Sequence, residues 1–206
     1  MAETPTTDRL AREYAPYVNM GAVKGIQAAH AETVTTIERD TRLTDDGKRS
    51  ELARAYLENK ASMDRLRAGF EAETDRATIT AGRRLFGPGA TDPATQLAHR
   101  DALDRAEKVA DEQEGLTQIN RARFSGDESM VRALTMQAHR KGWKSVLSEV
   151  EKAAPGTAAK LDQYNSIPGK DKKAVDLMFA VRVPRAFLSR ADGMPNYSDI
   201  HKWAQK

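Results

Sequence analysis

Four histidines, at positions 30, 99, 139 and 201, are the first side chains to test for chemistry in this chain, because it contains no cysteine. A zinc site on one helix needs two histidines three or four residues apart, facing the same side. None of the four has such a neighbour. His30 falls among Val23, Ile26, Val34 and Ile37 on an apolar helix face and reads as a packing residue, whereas His99, His139 and His201 sit in polar sequence and read as exposed. Carboxylates are a second possibility, since Glu107, Asp111 and Glu114 step by four and then three along one helical face. A bound cation requires oxygens converging from several elements. A single stripe of acids reads as solvated surface, so the sequence predicts no metal site, no cofactor and no catalytic residue.

Phosphate loops and nucleophiles are equally hard to find. Gly87-Pro88-Gly89 lacks the lysine and the hydroxyl residue of a nucleotide loop, and Gly169-Lys170 is followed by Asp171 rather than Ser or Thr. No serine occupies a nucleophile elbow. The stretch Met136 to Val150 imitates a helix-turn-helix, with Arg140, Lys141 and Lys144 available to phosphate. Its turn runs straight into Trp143, and Glu149 and Glu151 would repel a nucleic-acid backbone, so it reads as an ordinary two-helix corner. Arg83 and Arg84 read the same way, as cations complementing the dipole at a helix end.

The elements that would hold these residues are helices throughout. Leu52, Tyr56, Met63, Leu66 and Phe70 recur at steps of three, four or seven among charged residues, which is one face of a long helix meant to lie on another. A first helix over about 23–42 and a second over about 45–84, joined near Thr44, form an antiparallel hairpin. Phe86 to Gly89 ends it. Asp92-Pro93 then starts a third helix, expected to reach Glu114 with a thin apolar stripe and a mostly solvated surface. Breaks at Gly126, Gly142, Pro155-Gly156 and Pro168-Gly169 cut the remainder into shorter helices, followed by a helix over 172–190 bent at Pro184. Ser198 is the expected cap of a last turn. The reading is all-α, somewhat elongated: residues 1–20 an N-terminal arm, 21–86 an amphipathic helical hairpin, 91–124 an acidic connecting helix, and 125–206 a basic C-terminal helical region.

Composition agrees with thin, one-sided helix packing: the 206 residues are 39% hydrophobic, 6% aromatic and 31% charged. Mean hydropathy is −0.67. No run approaches the roughly 20 apolar residues of a membrane span, and the N-terminus lacks the apolar core of a signal peptide. The net charge of +3 is unevenly spread, with 3 basic against 7 acidic residues over 92–114 and 7 against 4 over 120–152. Such polarity suits copies of a protein meeting acidic face to basic face, and equally a nucleic acid drawn to the basic end.

Two stretches, Leu43 to Leu57 (LTDDGKRSELARAYL) and Ser125 to Pro155 (SGDESMVRALTMQAHRKGWKSVLSEVEKAAP), resemble all-helical proteins encoded among the virion genes of tailed bacteriophages of actinobacteria. The likeness is one of layout: capped hairpin, acidic helix, Gly-Trp corner, Pro-ended helix. It implies a capsid-associated, scaffolding or neck protein in the virion or host cytoplasm, and it transfers no catalytic residue. The expectation is a non-enzymatic protein that self-associates or binds other virion proteins, with no membrane partner. Leu10, Tyr14 and Tyr17 at one end, and Tyr197, Ile200 and Trp203 at the other, are the expected partner-binding residues, because isolated aromatic and aliphatic side chains in polar sequence anchor interfaces. The alternative is nucleic-acid binding through the basic C-terminal half, with Arg140, Lys141 and Lys144 as the contacts.

Overall fold

A computed structural model describes residue 12 and residues 14–169, 172–189 and 191–206. The expected contact residue Leu10 lies outside them. Among the described residues every regular element is helical, as the sequence predicts; extended backbone contributes one isolated antiparallel bridge, Leu188 to Pro195. The chain forms two compact units, one from residues 1–74 with 168–206 and one from residues 75–167.

In the first unit, α1 (Met20–Arg39) is followed by α2 (Asp45–Phe86), whose residues after Thr74 belong to the second unit. Asn19 caps α1 by accepting the N–H of Ala22, and Thr44 accepts that of Gly47 at the start of α2, where Asp45 and Asp46 suit the helix dipole. The turn between them is tied by Asp40, which accepts the backbone N–H of Arg42 at 2.8 Å and its guanidinium at 2.7 Å. Those bonds hold the Asp40 carboxyl at about 2. The two helices pair in opposite order, so the hairpin is antiparallel. Val23 shares a cluster with Met63 and Phe70, the His30 and Tyr56 rings lie 6.1 Å apart, and Val34 and Ile37 pack with Leu52 and Ala53.

The C-terminal segment completes this unit. The sequence predicts a helix over 172–190, but α8 (Lys172–Met178) has only seven residues, and after a turn at Phe179 residues 180–184 have no regular structure before a 3-10 turn at Arg185–Phe187. The reason lies on α1. Gln27 Nε2 donates to the carbonyls of Met178 (3.1 Å) and Ala180 (3.0 Å), and His30 Nε2 lies 2.8 Å from that of Arg182. Side chains of α1 thus satisfy carbonyls that a helix would have satisfied internally. A carbonyl can only accept, so His30 carries its proton on Nε2. Phe179 and Val175 enter the cluster with Met63 and Phe70, and Phe187 enters the one with Leu52 and Tyr56. The last helix, α9 (Tyr197–Ala204), is capped by Asn196 rather than the expected Ser198.

The second unit gathers the end of α2 with α3 (Pro93–Glu107), α4 (Glu112–Ser125), α5 (Glu128–Lys141), α6 (Lys144–Ala153) and α7 (Thr157–Asn165). The expected continuous helix to Glu114 is broken at 108–111. Asp111 accepts the N–H of Glu114 while Glu114 reaches back to the N–H of Ala110, both at 2.9 Å, a reciprocal capping box that starts a new helix. Two of the three acids in the expected surface stripe are therefore spent on a cap. As expected, α3 is mostly solvated, with Leu97 69% exposed, but a narrow face is buried: His99, Ala102 and Ala106, of which the two alanines join Ile119, Leu134, Trp143, Val146 and Val150 in one core. Small side chains at the contact let the helices approach closely, so a thin stripe suffices.

The expected single region over 125–206 is likewise divided, since residues up to Ile167 join the second unit and those from Pro168 the first. No described helix is long and apolar enough to cross a membrane.

Candidate functional site

The second unit holds a cavity of about 630 Å³ whose lining includes Arg84, Arg123, Arg132, Lys152 and Lys160 against the single carboxylate of Glu128. Five elements supply those cations. The end of α2 is held by three mutually packed rings: Phe86 lies 5.8 Å from His139 of α5 and 5.4 Å from Tyr164 of α7, and those two are 5.7 Å apart. Arg132 of α5 then donates to the carbonyls of Arg84 (3.2 Å) and Gly87 (3.4 Å). Carbonyls at a helix C-terminus have no partner within the helix and carry the negative end of its dipole, so a guanidinium is well placed there.

Two of the lining cations are paired from behind the lining: Glu149 of α6 binds Arg123 of α4 at 2.8 Å and also Lys152. The two cations hold its carboxyl below the usual range, the Lys152 bond first. Glu151 accepts the N–H groups of Gly156 and Ala158, both at 2.7 Å, and those bonds keep it ionised as the cap of α7, the helix that carries Lys160. Thr135 and Thr157 donate their hydroxyls to backbone carbonyls one turn back, so they form wall. Glu149 neutralises part of the charge on Arg123 and Lys152. Among the described residues, no carboxylate lies at ion-pair distance from Arg84, Arg132 or Lys160. The cavity therefore carries unneutralised positive charge. Between Arg123 and the cavity-lining Gly126 stands Phe124, 97% exposed.

The sequence-predicted contact residues fare differently. Lys141 is committed to its own unit, donating to the carbonyl of Val109 at 3.0 Å with its ammonium 4.8 Å from the Trp143 ring centre. Arg140 and Lys144 are exposed at the corner, outside the cavity. Of the terminal residues, Tyr14 is buried and stacks on Phe70 at 5.4 Å, and Tyr17 packs half-buried against the same cluster. Ile200 and Trp203 are buried with Leu52, Tyr56 and Phe187, and Ser50 donates its hydroxyl to the Trp203 carbonyl at 3.0 Å. These four complete the core of their own unit, which corrects the expectation that they face a partner. Tyr197, 52% exposed, stays on the surface, with Met194 nearby in sequence at 65% exposure. The neighbouring Tyr56 hydroxyl is pushed up to about 12, by burial first and then by the phenol of Tyr197.

Of the three histidines expected on the surface only His201 is there. His139 is half-buried among the rings, and His99 is buried with Nδ1 lacking a hydrogen-bond partner. Burial, with a smaller contribution from Arg132, depresses the His99 pKa. No group of three or more potential metal ligands occurs among the described residues. The basic cavity was out of reach of sequence reasoning because its cations are scattered over five elements with no local motif. Arg84 was singled out, but for its place in the last turn of a helix.

The fold and this site define an all-helical protein of two units, one of which carries a basic cavity. Comparison with protein-family models, with curated proteins and with solved structures returns no match to the chain.

Proposed function

We propose that the protein acts by binding other proteins, as a structural or assembly component of a tailed-phage particle: capsid-associated, scaffolding or neck. The observation that carries this reading is the exposed pair Met194 (65%) and Tyr197 (52%) at the start of α9, a helix otherwise anchored by Ile200 and Trp203. Methionine and tyrosine are side-chain types enriched at interfaces. Here they are presented on a fixed support, so ordering them on a partner costs little entropy. The layout shared with virion proteins supplies the phage context.

Light scattering across a concentration series tests it. The wild-type mass should rise with concentration, and Met194→Asp combined with Tyr197→Ser should hold the chain at monomer mass with unchanged circular dichroism. A wild-type chain that stays monomeric throughout, or a variant that associates like wild type, would count against the reading. The alternative, nucleic-acid binding at the Arg140–Lys144 corner, has less to support it, because Lys141 is already engaged by Val109 and Trp143.

A further inference from the structure

We infer that the cavity of the second unit binds the phosphate backbone of a single-stranded nucleic acid, with Phe124 as a stacking platform for a base. The inference stands apart from the assembly reading, since it uses none of the residues on which that reading rests. Three observations converge on it. Charge comes first: five cationic side chains line one opening against one carboxylate, and among the described residues no carboxylate lies at ion-pair distance from Arg84, Arg132 or Lys160. Glu151, which feels the charge of Lys160, is engaged by the N–H groups of Gly156 and Ala158. Holding like charges together with only partial counter-charge is unfavourable, and an anionic ligand lowers that cost.

Shape comes second. Small-molecule sites enclose their ligand behind mostly apolar walls. Here the Arg84, Arg123, Lys152 and Lys160 side chains are exposed and only Arg132 is half-buried, which describes an open, charged concavity that a chain can lie across rather than a closed chamber. The third observation is Phe124. An aromatic ring 97% exposed contributes nothing to its own core. Phe124 is not itself in the lining but lies in the chain between the lining residues Arg123 and Gly126, and an exposed ring beside a basic groove is how proteins grip single strands without reading their sequence. In a duplex the bases are already stacked on one another and cannot use such a ring.

The experiment measures binding of a fluorescent oligothymidine of about 20 nucleotides, longer than the usual footprint of one such site, to the full chain at two salt concentrations. Arg84→Gln with Lys160→Gln removes two cations that line the cavity and have no carboxylate at ion-pair distance among the described residues. It should weaken binding at least tenfold and lower the log–log salt slope by about 1.4, roughly 0.7 for each phosphate contact. Arg140→Gln with Lys144→Gln removes the same charge at the corner and should change affinity less than about twofold, as expected for diffuse surface charge. Phe124→Ala should cost about tenfold, the lower part of the range for one base stack. Absence of binding at low salt, or equal losses from the two double variants, would overturn the inference. So would displacement of the oligonucleotide by stoichiometric pyrophosphate together with an inert Phe124→Ala, because the site would then belong to a small phosphate.

Discussion

His99 shows how a single side chain can look solvated in sequence and be buried in the fold. Its neighbours Gln96, Ala98, Arg100 and Asp101 are small or polar, yet Ala102 and Ala106 continue the same face into the core of the second unit. The methyl groups of alanine are too small to register as an apolar stripe, so the periodicity that revealed the face of Tyr56 and Met63 is silent here. Burial leaves Nδ1 without a partner and holds the His99 pKa below its ordinary value, with Arg132 the charged group that acts on it. Unfolded histidine titrates near 6.5. With the folded value lower, the unfolded chain binds the extra proton between the two. The stabilisation is therefore complete above about pH 6.5 and is lost as pH falls through the folded value. His99→Leu removes the titrating group and should flatten the fall in stability from pH 7 to pH 5, by at most about 1.4 kcal/mol per pH unit for one proton. Urea unfolding at several pH values checks this; parallel curves for the two proteins would refute it.

At the scale of elements, the caps and breakers were the most readable signals and the extended segments the least. Asp92-Pro93, Gly126-Asp127 and Gly142 all mark helix ends, Gly142 with a φ of 73° that suits glycine. The break at 108–111 is also written in the chain, as Asp111 and Glu114 at capping-box spacing just before Gly115. That glycine serves packing. A Cβ there would meet Val146 Cγ2 at 3.0 Å and the Trp143 ring at 3.2 Å, so the absence of a side chain is what lets α4 lie against α6 and the ring beside it. Gly69 on α2 has open space where a Cβ would go. Replacing glycine by alanine inside a helix normally gains about 0.5–1 kcal/mol. Gly69→Ala should show that gain. Gly115→Ala should instead cost about 1–3 kcal/mol, because Val146 and Trp143 are buried and cannot retreat without strain. Opposite signs in thermal melts are the expected result, and a stabilising Gly115→Ala would mean that the α4–α6 contact is looser than described.

For the molecule as a whole, the property least legible in sequence was which segments share a unit. The bond from Gln27 to the Met178 carbonyl spans 151 residues. Periodicity reports what face a helix has; it is blind to what the face meets, so Ile200 and Trp203 looked like anchors awaiting a partner when they are in fact the lid on Leu52 and Tyr56. Their burial reverses the expected effect of a C-terminal deletion. Removing residues 194–206 takes α9 from its cluster, exposes Leu52, Tyr56 and Phe187, and strips the Ser50 hydroxyl of its acceptor. Loss of large buried side chains costs several kcal/mol, on the order of a small unit's whole stability. The truncated chain should therefore lose helix over residues 20–70 and melt well below the full chain, while amide protons of 75–167, whose core contains no residue of the deleted segment, keep their protection from hydrogen exchange. Equal loss of protection in both units would show that they fold as one cooperative body. Unchanged melting would show that α9 is dispensable to its own unit, and would return Trp203 and Ile200 to the role of contacts for a partner.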